Sequence, residues 1–173
     1  MQYPINAMFP TLLQHSRLAI QQMSPQQVTA VLTHARALQR AAHARAPLPL
    51  LRGKNIALMC EADDGAAALF RHSMTELGAQ VAHVRPSLSE LSTPAEVGHA
   101  ARMLGQLYDA VECQGMPPAL VQQVADAAGV PVFDGIGSPD HPVALLADQL
   151  GGDGSPEDHR RFVVQAVLLG ALR

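Results

Sequence analysis

Two aspartates, Asp63 and Asp64, stand directly before Gly65 and Ala66, and a basic pair, Arg71 and His72, follows in the segment CEADDGAAALFRHSMTELG, residues 60–78. The segment reads as a strand end, a short acidic loop and a helix from about Ala66 to Leu77. The head of such a helix suits a phosphate or carboxylate, because several amides converge there with the positive end of the helix dipole behind them. Here either aspartate can act as N-cap, accepting a bond from an amide two or three residues on. The position is then held by the chain's own anion. At about 6 Å and an effective dielectric near 20, each carboxylate opposes each unit of incoming negative charge by roughly 3 kcal/mol before screening. No basic residue lies between Glu61 and Leu69 to offset this. Arg71 and His72 lie one turn further on, where they either supply positive charge to the loop or face solvent. His72 and Glu76 share the i,i+4 spacing of a metal pair, but no third ligand is near in sequence, so a solvated face is expected and no metal is predicted.

A second place to look is His141, beside Pro142 in the turn-rich run DGIGSPDHP, residues 134–142. It follows a predicted strand, so it reads either as a ligand contact or as a turn histidine bonded to backbone. Cys60 and Cys113 fall in predicted strands and are expected as reduced core thiols. No nucleophile-elbow pattern is present.

The elements that must position these residues alternate between short apolar runs and amphipathic segments. Ser24-Pro25-Gln26-Gln27 has a serine cap, a proline at the first helical position and a glutamine three residues after the serine, which opens a helix to about His43. A shorter amphipathic piece, Thr11 to Met23, precedes it. Strands are expected at Ile56–Cys60, Gln80–Val84, Asp109–Cys113 and Val130–Phe133. Helices are expected at 66–77, at Pro94–Leu107 with Val97, Ala101, Leu104 and Leu107 inward, at Pro117–Ala128, and at Val143–Leu150. The joint Gly151-Gly152-Asp153-Gly154 leads to a last helix, Glu157–Leu172, apolar enough to pack back on the domain. Strand and helix in strict alternation predict a single three-layer α/β domain with a four-stranded parallel sheet and helices on both faces. Residues 1–150 form its body, and 151–173 complete the same domain.

Net charge is −3, the pI is about 6.2 and there is no basic run, which argues against nucleic acid and an anionic membrane surface as partners. Aromatic residues are 3% of the chain and tryptophan is absent, so base-stacking surfaces are not expected. No apolar run approaches the roughly 18 residues of a membrane span, and MQYPINAMFP lacks a signal peptide's charged and apolar regions. A soluble cytoplasmic protein without a cofactor is expected.

Read in order, Ser24-Pro25-Gln26-Gln27, Leu32-Thr33, Ala37-Leu38, LRGKNIAL at 51–58, Leu77-Gly78-Ala79, ARMLGQLYDA at 101–110, and His141-Pro142 with Leu145-Leu146-Ala147-Asp148 form one pattern. It resembles the carbamoyl-phosphate-binding domain of ornithine and aspartate carbamoyltransferases over about residues 20–150, closest to the ornithine branch. In that family a Ser-Thr-Arg-Thr-Arg loop holds the phosphate, and its counterpart here, Ala62 to Ala68, contains no arginine, serine or threonine. A second family arginine falls at Gln114. The family's His-Pro-x-Gln, which holds the carbamoyl group, appears as His141-Pro142-Val143-Ala144. The resemblance thus implies a degenerate cleft at Asp63, Asp64, Gly65, Ala66, Arg71, Gln114 and His141, with no catalytic residue. Charged hydrogen bonds contribute roughly 1.5–3 kcal/mol each, so losing several removes most phosphate affinity. The family binds ornithine or aspartate with a second domain, whereas a joint and one helix follow Asp148 here. The resulting expectation is a pseudoenzyme that self-associates, as a homotrimer by family resemblance, or holds a small ligand. The alternative is a carbamoyltransferase completed by a partner chain, such as a full-length relative.

Overall fold

The computed structural model describes residues 23–46 and 48–172, so the predicted piece from Thr11 lies outside the described residues apart from Met23. Helix α1 (Pro25–His43) begins as the sequence predicts: the Ser24 hydroxyl accepts from the Gln27 amide at 3.2 Å, and the Gln27 side chain accepts from the Ser24 amide at 2.8 Å. There follow β1 (Asn55–Met59), α2 (Gly65–Glu76), β2 (Gln80–Val84), α3 (Pro94–Leu107), β3 (Ala110–Cys113), α4 (Pro118–Ala128), β4 (Val132–Asp134), a short α5 (Val143–Ala147) and α6 (Pro156–Leu172). The four strands form one parallel sheet in the order β2-β1-β3-β4.

Successive strand side chains point to opposite faces, and both faces of this sheet are covered, so the strands read as continuous apolar runs. Ile56, Leu58 and Cys60 join a core with α1, α2, α5 and α6 that contains Val31, Leu38, Phe70, Met74, Phe162 and Leu168. Ala57, Met59, Val111, Cys113 and Val132 pack on the other side against Val97, Ala101 and Leu104 of α3 and Leu120, Val121 and Val124 of α4. Helices α3 and α4 cross closely: a Cβ on Gly105 would fall 1.7 Å from the Ala128 carbonyl oxygen, so only glycine fits there.

Phe162 through Leu169 of α6 are all buried, as the apolar run predicts. Helix α1 also holds the turn that feeds α6. Gln39 donates to the Gly151 and Asp153 carbonyls, both at 3.2 Å, and Arg36 donates to the Leu150 carbonyl at 3.2 Å.

Some boundaries differ for local reasons. Asp109 is not a strand residue; its carboxylate instead accepts from the Asn55 amide at 2.8 Å and pairs with Lys54 at 3.1 Å, joining the feet of β1 and β3. β4 begins at Val132 rather than Val130, because Pro131 has no amide to give the ladder and offers only its carbonyl, to the Val111 amide at 2.9 Å. Helix α5 ends at Ala147, three residues short of the expected Leu150. Leu107, expected inward, is 64% exposed at the last turn of α3.

Candidate functional site

In an open α/β sheet, ligands lie beyond the carboxyl ends of the strands, where the strand order reverses. That point is between β1 and β3, and a cavity of about 330 Å³ lies there. It is lined by Cys60, Glu61, Ala62 and Asp64 beyond β1, by Pro86, Leu88 and Ser89 beyond β2, and by Gln114 to Pro117 beyond β3. No lysine, arginine or histidine lines it. Glu61 and Asp64 give it negative charge.

Asp64 is the N-cap of α2: its Oδ1 accepts from the Ala67 amide at 2.9 Å. Gly65 is the first residue of the helix and Ala66 the second. The Ala66 carbonyl lies against the loop after β4, where a Cβ on Gly137 would come within 2.4 Å of its oxygen. Asp63 turns the other way. Both of its carboxylate oxygens meet the Arg71 guanidinium, at 3.0 and 2.9 Å, in a forked ion pair. Arg71 and the charge of His83 hold the Asp63 carboxyl below the usual carboxylate range. His83 is itself placed by a 2.9 Å contact from Nε2 to the Cys60 carbonyl oxygen.

His141 is not at the cavity. It is 3% exposed, and its Nδ1 accepts from the Val143 amide at 3.2 Å, the turn-histidine arrangement. His72 and Glu76 form an exposed i,i+4 pair at 3.6 Å. Of the seven residues named from sequence, Asp64 and Gln114 line the cavity, Gly65 and Ala66 begin the helix above it, Asp63 and Arg71 pair beside it, and His141 lies buried.

Sequence reasoning missed Cys60, Ser89 and Met116 as lining residues. The signal was available: each lies within a few residues of a strand's carboxyl end. Cys60 is buried one residue past β1. Its thiol pKa is raised by burial and by Asp63, with Arg71 pulling the other way. Burial and Glu112 push the Cys113 thiol well up, so both cysteines are thiols at neutral pH. Glu112, fully buried in the middle of β3, was also not singled out in the sequence. Among the described residues no group of three or more His, Cys, Asp or Glu is arranged to hold a metal ion, and no helix is long and apolar enough to cross a membrane.

A parallel four-stranded sheet with its cleft at the reversal point defines an α/β domain of the open, helix-covered class. The family follows from comparison: the chain belongs to the aspartate/ornithine carbamoyltransferases, whose carbamoyl-phosphate-binding domain model matches residues 15–151. It is 35% identical over 134 residues to an ornithine carbamoyltransferase of Haemophilus influenzae strain PittGG and to the catabolic ornithine carbamoyltransferase of strain Rd, covering 77% of this chain and 40% of each relative. Among solved structures it superimposes on ornithine carbamoyltransferase from Pyrococcus furiosus with a TM-score of 0.66 at 22% identity, covering 80% of this chain and 45% of that one. Aspartate transcarbamoylase from Trypanosoma cruzi, solved with N-(phosphonacetyl)-L-aspartic acid, gives 0.65 at 20% identity over 87% of this chain and 47% of that one. The chain therefore spans less than half the length of these relatives.

Proposed function

We propose that this chain is a non-catalytic member of the carbamoyltransferase family that acts by binding, either by self-association or by holding a small ligand in its remodelled cleft. The observation that carries this reading is the Asp64 carboxylate bonded to the Ala67 amide: the helix head that would receive a phosphate is filled by the chain's own anion. The loop from Ala62 to Ala68 offers no cationic side chain to replace the lost affinity, and Arg71 is already engaged by Asp63. Family resemblance makes a homotrimer the proposed assembly, to be measured by light scattering.

Calorimetry with carbamoyl phosphate tests the reading. No heat of binding is expected, and a dissociation constant below about 1 mM, or roughly −4 kcal/mol, overturns it.

A second reading rests on the family the chain belongs to: a carbamoyltransferase-type enzyme whose phosphate- and amino-acid-binding groups come from a partner chain. It requires that mixing with a full-length relative yield a complex with restored turnover.

A further inference from the structure

Helix α2 starts at the carboxyl ends of the strands and returns along the sheet, so its last turn lies at the end of the domain away from the cleft. There it meets the end of α1 and the body of α6 around a groove of about 210 Å³. The walls are apolar, with Leu38, Leu77 and Phe162 all buried. One polar side chain is set into them: Gln165, itself 2% exposed. Its Nε2 donates to the Ser73 carbonyl at 3.0 Å and to Glu76 Oε2 at 2.7 Å. Both partners are acceptors, so the amide nitrogen must face them, and the oxygen is left to the groove. That oxygen accepts no bond among the described residues, although a buried acceptor without a donor is destabilising.

The mouth of the groove carries a cation in an uncommon backbone setting. Helix α1 closes with the Ala46 amide donating to the Ala41 carbonyl and the Arg45 amide to the Ala42 carbonyl, both at 3.0 Å, which puts Arg45 at φ 52°. Glycine normally takes this position, because a Cβ is strained in the left-handed region. Arg45 lines the groove, and its guanidinium has neither an ion pair nor a hydrogen bond among the described residues. Glu76, also at the groove, is shared with Arg161 and the exposed His72.

We propose that this groove is a second ligand site, separate from the cleft, and that it takes a small aliphatic amino acid. The ammonium group supplies the donor that Gln165 Oε1 lacks, beside the Glu76 carboxylate. The carboxylate of the ligand meets the Arg45 guanidinium, a pairing that arginine makes with two parallel bonds. The hydrocarbon chain lies against Leu38, Leu77 and Phe162. Sites for drug-sized ligands run to roughly 300–1,000 Å³, so the smaller groove suits a molecule of this size. The inference does not depend on the non-catalytic reading, which concerns the other end of the sheet.

The test is a titration of the full chain with L-leucine, followed by backbone amide NMR at constant ionic strength. Two comparators each lack one charged group: 4-methylpentanoate has no ammonium and 3-methylbutylamine no carboxylate. Leucine is expected to bind with a dissociation constant of about 1 mM or below, with shifts centred on residues 41–46, 76–77 and 162–165, and each comparator about tenfold more weakly. Arg45→Gly removes the guanidinium and relieves the backbone, so it should weaken leucine about tenfold while the thermal midpoint holds or rises. Ala42→Phe, at an exposed position of the groove wall, should fill the space and abolish the leucine shifts. The inference is overturned if leucine leaves these amides unmoved, if either comparator binds as well as leucine, or if Arg45→Gly or a folded Ala42→Phe binds it as wild type does. Each of these results leaves the non-catalytic reading intact, whereas tight binding of carbamoyl phosphate would defeat that reading and leave the groove untouched.

Discussion

Helices α2 and α6 each have an acid at their start, before the first turn in α2 and within it in α6, and an arginine further along, yet the two corners do different work. At α6 the Ser155 hydroxyl accepts from the Asp158 amide at 3.1 Å, and Asp158 accepts in return from the Ser155 amide at 3.0 Å. Arg161 then joins Asp158 at 2.9 Å to Glu76 at the end of α2, and its guanidinium lies 4.4 Å over the Phe162 ring. At α2 the forked pair links Arg71 only to its own preceding loop. The arginine side chains are 13% and 33% exposed respectively. A charge pair that ties two packed elements together in partial burial helps to fix the fold; one that closes a local loop in water contributes little to it.

The contrast is sharpest in the arginines. Arg161→Ala should lower the unfolding free energy by roughly 2 kcal/mol in urea denaturation, since two charge-assisted contacts and the ring stacking are lost while Glu76 keeps only Gln165, at 2.7 Å, and the exposed His72. Arg71→Ala, measured alongside, should leave the midpoint unchanged. If the two variants are equally destabilised, the division between a fold-fixing corner and a merely local one fails. A smaller effect is expected at the cap. Asp64→Ala should cost about 1 kcal/mol, because the amide at Ala67 loses its partner and no other side chain is placed to take over.

Much of this was legible in the residues, for reasons that differ from place to place. The capping pair at Ser24, followed by proline, set the start of α1 because a cap is local chemistry that needs no tertiary contact. The strands of the parallel sheet appeared as apolar runs because both faces are buried. Where sequence reasoning fell short, a partner distant in sequence decided one boundary, the Asp109 carboxylate binding Asn55 and Lys54, and a missing amide at Pro131 decided another. At the site, the capping role of one of two aspartates was readable, but which one was not, since both stand near the same amides in sequence. The forked grip of Arg71 on Asp63 was equally out of reach, because it depends on how the loop folds back along the helix. His141 reads from its turn-rich surroundings as a ligand contact or a turn histidine, and only the folded loop shows it buried and bonded to the Val143 amide.

The smallest effect separates the two corners by acidity. The hydrogen bonds from Ser155, followed by the contact with Arg161, pull the Asp158 carboxyl from its ordinary 3.8 to about 2. A pKa depressed in the folded state gives stability that is present in full above the unfolded value and is lost as the pH falls from about 4 toward 2. Nearly two units would correspond to roughly 2.5 kcal/mol without screening. The Asp158 side chain is 43% exposed, so less than about 1 kcal/mol should survive in water. Asp158→Asn should therefore flatten the acid limb of the stability curve by that amount, measured as urea midpoints between pH 5 and the lowest pH at which the chain stays soluble, taken here as about 2.5. Asp63 is depressed by its arginine as well, but the pair is local and open to solvent, and Asp63→Asn should leave the same limb unaltered. Were the Asp63 variant to flatten the limb and the Asp158 variant not, the α2 corner rather than the α6 corner would be the one that holds the domain together.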